Sequence, residues 1–134
     1  MRAVLDPNVL ISALLSGTGA PAEILRRWRR GDIELVTSVL LIDELARALV
    51  YPKIRRRIAQ ADGDEFVALL RVAAPPLADP DELPPAHSAD PDDDYLIALA
   101  SHSRSVLVSG DRHLLELADR IPIMSPREFL NSLG

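Results

Sequence analysis

Cysteine is absent from this chain of 134 residues, which excludes disulfides and any metal site built on thiolates. Aromatic residues are nearly as scarce, at 4% against a hydrophobic content of 48%, so the core has to be built from Leu, Val, Ile and Ala. No run reaches the roughly 18 uninterrupted apolar residues that a membrane-spanning helix needs. Asp6 and Pro7 interrupt the apolar stretch that a signal peptide would require. The expectation is a cytoplasmic protein without membrane segments. Lysine occurs once, as Lys53, among 15 basic residues; the arginine bias suits phosphate contacts.

What is present is acid in a particular order. The net charge is −5, with Asp79, Asp81, Glu82, Asp90, Asp92, Asp93 and Asp94 concentrated in one stretch. Base is concentrated in Arg26, Arg27, Arg29 and Arg30, and again in Lys53, Arg55, Arg56 and Arg57. Two arginine clusters in an acidic protein are either solvated helix faces or a nucleic-acid footprint. The length suits one domain over residues 1–134, burying about two-thirds of its unfolded surface.

Alternation of short apolar runs with helical periodicity predicts an α/β layered domain with a mainly parallel sheet. Strands are expected at 2–6, 33–37, 105–109 and 121–124, with one further short strand around Leu77. Helices are expected at 8–15, from Pro21 to Arg30, 39–50, 53–60, 64–74, 91–103, 112–119 and 126–132. Ser38 is a candidate N-cap and Pro21 a first-turn proline. Asp62-Gly63-Asp64 reads as a break between two helices, and 75–85 as an acidic, proline-rich surface connector. No internal repeat is visible.

Four carboxylates lie beside these apolar runs. Asp6 closes the first strand, where ligands of open α/β sheets bind; it also reads as the cap of the helix that begins at Pro7, and the two roles are compatible. Asn8, two residues on, is placed to support it. Glu44 shares a helix face with Leu40, Leu41 and Ala48, whereas Asp43 has Arg47 at i+4 for an ordinary ion pair. An acid on an apolar face needs a partner, unless it reaches water at the edge of the stripe. In Asp90-Pro-Asp-Asp-Asp94, Asp90 reads as an N-cap and the following acids suit a helix start. Within that run Asp93 shares the face of Leu96, Ile97 and Ala100, with Asp94 as its alternative. Asp111 follows Val106-Leu-Val-Ser-Gly110 and is either a carboxylate at the sheet edge, supported by Ser109, or a helix cap. Like charges gathered this way repel by roughly 4 kcal/mol per close pair at an intermediate dielectric, and a divalent cation relieves the repulsion.

Taken in order, these segments resemble the PIN-domain family over nearly the whole chain. Leu5-Asp-Pro-Asn-Val-Leu-Ile11 is similar to the family's opening Leu-Asp-Thr-Asn-Val-Leu. Ser38 to Leu45 resembles the segment that carries its glutamate, and Asp90 to Ala98 its Asp-x-x-Asp-x-x-Leu/Ile segment. Val108-Ser-Gly-Asp-Arg-His-Leu-Leu115 resembles Thr/Ser-Gly-Asp-x-Asp-Leu-Leu, and Ser125-Pro-Arg-Glu-Phe-Leu130 the closing Pro-x-x-Phe-Leu. The resemblance implies a three-layer α/β/α fold with a parallel sheet. It implies Mg²⁺ or Mn²⁺ held by Asp6, Glu44, Asp93 and Asp111, and hydrolysis of RNA phosphodiester bonds. Small stand-alone members of this kind (VapC-like) act as ribonuclease toxins of type II toxin–antitoxin pairs, so it further implies a homodimer and a small antitoxin partner.

Two positions depart from the pattern. Pro7 stands where Thr or Ser is usual, removing a hydroxyl and an N–H. His113 stands where an acid is common. Both weaken the expected metal site without removing a principal carboxylate, and they keep a second reading open: a non-catalytic PIN-like scaffold that binds RNA or protein. Phosphoryl transfer through an aspartyl-phosphate also uses a strand-end Asp. Its phosphatase form wants a second Asp where this chain has Asn8, and a late lysine that this chain lacks.

Overall fold

The first apolar segment becomes an inner strand of the sheet. The computed structural model describes residues 1–134 and places β1 (Arg2–Leu5) between β2 (Glu34–Leu35) and β3 (Val106–Val108), with β4 (Ile123–Met124) outermost. The order is β2-β1-β3-β4 and every pairing is parallel. Parallel neighbours cannot be joined by tight turns, so each connection crosses over through helix, and the helices cover both faces. This is the α/β layering expected from the alternation, and the three-layer α/β/α sandwich that the PIN resemblance implies. Register places Leu5 opposite Val108, so the next residues, Asp6 and Ser109, leave the sheet side by side.

The helices are α1 (Pro7–Leu15), α2 (Ala20–Arg29), α3 (Val39–Leu49), α4 (Pro52–Arg55), α5 (Gln60–Ala73), α6 (Asp94–Ser103), α7 (Arg112–Leu115) and α8 (Pro126–Ser132). Their apolar stripes meet the sheet in an aliphatic core that includes Leu5, Leu10, Ile24, Leu41, Leu45, Leu70, Leu96, Leu99 and Leu107; Phe129 is an aromatic in it. Ser38 caps α3 by accepting from the Leu41 N–H at 3.2 Å. Asp79 of the acidic connector accepts from the Leu40 N–H at 2.9 Å, so two side chains satisfy the orphan donors at that helix start.

Several boundaries differ from expectation. The break expected at Asp62-Gly63-Asp64 falls earlier, at 56–59, and α5 runs through Gly63. Tertiary packing outweighs the glycine here: Gly63 is buried against Leu49 of α3. β2 pairs over two residues and not five, because Thr37 and Val39 turn away to bond Leu77. The Leu77 N–H donates to the Thr37 carbonyl and the Val39 N–H to the Leu77 carbonyl, so the strand expected around Leu77 is a single parallel bridge to Ser38. The helix expected over 91–103 begins as a 3₁₀ turn, Pro91–Asp93, capped by Asp90. α7 stops at Leu115 and continues as i→i+3 turns through Arg120. No ion pair forms between Asp43 and Arg47; both are exposed.

Candidate active site

The site lies where β1 and β3 end. Asp6 is the N-cap of α1, buried to 5% exposure, and both of its carboxylate oxygens are held. Oδ1 accepts from the backbone N–H of Asn8 at 3.0 Å and Oδ2 from the Ser109 hydroxyl at 2.8 Å. Ser109, itself fully buried, accepts in turn from the Asp111 N–H at 3.0 Å. A single relay therefore runs from the backbone of Asp111 through Ser109 to Asp6. Such chained bonds polarise one another and fix the acceptor's orientation. Asp111 caps α7, its Oδ1 accepting from the His113 N–H at 2.9 Å. The capping role considered for Asp6 and Asp111 is thus real in both. His113 is exposed.

Asp93 ends the 3₁₀ turn and is half-buried. Its carboxyl is pushed up to about 7 from the ordinary 3.8, first by burial and then by the negative charges of Asp6, Asp90, Asp111 and Glu44. Asp6 is raised as well: burial outweighs its two hydrogen bonds, and Asp111 adds repulsion. These are the signatures of carboxylates crowded into one electrostatic environment. Asp94 faces elsewhere. Its Oδ1 accepts from the Ser88 N–H and its Oδ2 meets His87 Nδ1, both at 2.8 Å, so it ties the end of the connector to α6.

Glu44 is half-buried on α3, and its carboxylate accepts a hydrogen bond from the Tyr95 hydroxyl. That bond joins α3 to α6 across the site; burial first, and then the bond to Glu44, holds the Tyr95 phenol well above its ordinary range. Tyr95 was not singled out in the sequence. The available signal was its rarity, as one of two tyrosines, directly following the acidic run.

Two clefts open beside these acids and share Asn8. One, of about 370 Å³, runs past Gly110 and Asp111 to Pro126. The other, of about 670 Å³, is walled by Glu44, Arg47, Tyr51 and Tyr95, with Asp92 on its rim. The donor set is all oxygen, which suits a hard cation such as Mg²⁺ or Mn²⁺. The mutual repulsion raising Asp93 is the feature that bound positive charge would relieve. As the side chains stand, no three acidic or histidine groups converge tightly enough to hold a metal ion. Asp6 is committed to Asn8 and Ser109, and Glu44 to Tyr95.

A family model described as the PIN domain matches residues 2–113, which spans every one of these acids. An uncharacterized protein of Methanocaldococcus jannaschii is 24% identical over an alignment of 140 residues, covering 97% of this chain and 90% of that protein.

Proposed function

Because the chain belongs to the PIN-domain family, we propose that it is a metal-dependent endoribonuclease that hydrolyses RNA phosphodiester bonds. The observation that carries the reading is the half-burial of Asp93 under the negative charges of Asp6, Asp90, Asp111 and Glu44, near the ends of β1 and β3 and beside two open clefts. Asp6, Glu44, Asp93 and Asp111 would hold Mg²⁺ or Mn²⁺. When bound, the ion supplies a water of lowered pKa and positive charge for the phosphate. Ser109 and the Asn8 N–H keep Asp6 oriented. Asp93, its carboxyl pushed up to about 7, would act as a ligand in its ionised form, so ion binding near neutrality would release part of a proton there. Tyr95 orients Glu44 through the hydrogen bond between them.

In the same reading the protein is the toxin of a type II toxin–antitoxin pair, a homodimer restrained by a small antitoxin. One observation favours the alternative, a PIN-like scaffold that binds RNA or protein without cutting: the acids do not converge, and Glu44 is already satisfied.

The deciding experiment is incubation of a mixed RNA panel with Mg²⁺, Mn²⁺ or EDTA, comparing the natural chain with Asp6→Asn. Metal-dependent cutting that disappears in the variant is expected. No cutting together with no Mn²⁺ binding would leave the scaffold reading.

A further inference from the structure

We propose that the cleft between α3 and α6 is the track for single-stranded RNA, with its backbone following Arg47 toward α4 and one base stacked on Tyr51. This rests on the nuclease reading for the position of the cut, but its binding argument stands on separate observations. The two arginine clusters, indistinguishable in sequence, are not equivalent in the fold. Every member of the first is already engaged. Arg26 pairs with Glu23, Arg27 and Arg30 pair with Asp32, and Arg29 lies 5.6 Å over the Trp28 ring. In the second, Arg55 donates only to Gln60, while Lys53, Arg56, Arg57 and the nearby Arg47 have no acidic partner. Unpaired exposed cations are available to phosphates without first breaking an ion pair.

The aromatic residues point to the same place. Trp28, Phe66 and Phe129 are buried. Both tyrosines line this one cleft, and Tyr51 is 61% exposed at its mouth, directly before α4 with its Lys53 and Arg55. An exposed ring in one cleft with the unpaired Arg47 and with Glu44, followed in the chain by further free cations, is the arrangement that stacks unpaired bases while charge follows the backbone. Asp92 on the rim repels phosphates, which leaves the backbone to the Arg47 side. A duplex keeps its bases stacked on one another and offers Tyr51 nothing.

The test is fluorescence anisotropy with a labelled, unstructured 12-nucleotide RNA, on the full chain carrying Asp6→Asn in Mg²⁺. Tyr51→Ala should weaken binding by about tenfold and Tyr51→Phe should restore it. Arg47→Ala should lower the slope of log K against log salt by about 0.7, whereas Arg30→Ala from the engaged cluster should leave affinity and slope unchanged. A duplex of the same sequence should bind more weakly. If the natural chain cuts nothing while these binding losses appear, the track stands and the nuclease reading fails. If the natural chain cuts RNA but Tyr51→Ala and Arg47→Ala bind like their parent, the track is wrong and the nuclease stands. Binding of a polyglutamate peptide in place of RNA, indifferent to Tyr51→Ala, would overturn the proposal in favour of an acidic protein partner.

Discussion

Folding moves the titration of Asp93 out of the ordinary carboxylate range. Its carboxyl rises from 3.8 to about 7, so between those values the folded chain holds a proton that the unfolded chain has released. Stability therefore falls as pH rises through that window, and the loss is complete above about pH 7. Asp6 is shifted in the same direction. Glu23, Asp32 and Glu128 are lowered; what they contribute is present above their unfolded values and lost only at lower pH. In EDTA, thermal melting should give a lower Tm at pH 8 than at pH 5, and Asp93→Asn should flatten that dependence and raise Tm at pH 8. An unchanged profile in the variant would assign the dependence to other groups. Asp6→Asn is expected to abolish cleavage while leaving the circular dichroism spectrum and the cooperative melt intact, since the amide oxygen can still accept from Asn8 or Ser109. Retained activity in that variant would remove Asp6 from the chemistry. At this scale the sequence identified which acids stand at strand ends, because a carboxylate next to an apolar run is a local fact. It had no means of showing that Asp94 is taken by His87 and Ser88, or that Glu44 meets a tyrosine 51 positions away.

Elements were legible where local chemistry dominates. Pro7, Pro21 and Pro126 lie within the first two positions of their helices and Ser38 caps α3, as fixed φ and a side-chain acceptor dictate. α8 adds a full capping box, with Ser125 and Glu128 each accepting from the other's backbone N–H. Ser125→Ala should cost about 1 kcal/mol in urea denaturation. Legibility failed at Gly63, where helix propensity argued for a break and burial against Leu49 overrode it. A Cβ added there would meet Leu49 Cδ1 at 3.5 Å, an ordinary contact. Gly63→Ala should accordingly stabilise the fold by about 0.5–1 kcal/mol through helix propensity and reduced unfolded-state freedom. A loss of stability in the same denaturation experiment would mean that α3 and α5 cannot separate by even a few tenths of an ångström. The short β2 has the same kind of cause: its end leaves β1 for a partner 39 residues further on.

For the whole molecule, the order β2-β1-β3-β4 brings the two strands that end in Asp6 and Ser109 together at the centre of the sheet. Core truncation should therefore disturb the site and the fold together: Leu107→Ala, at a fully buried position on β3, should cost about 2–5 kcal/mol and lower any cleavage activity in proportion to the folded fraction. Activity lost well beyond that fraction would show that β3 also sets the position of Ser109 and Asp111. No single helix is long and apolar enough to cross a membrane. By itself, the sequence determined the alternating α/β pattern, the capped helix starts and the acids at the strand ends, because periodicity, capping and turn chemistry act over a few neighbouring residues. Only the tertiary structure decided which acid of the 90–94 run feels the other carboxylates, what Glu44 binds, and which arginine cluster remains free. Those outcomes are pairings between side chains far apart in the chain, and each is settled by which partner the packed helices bring within hydrogen-bonding distance.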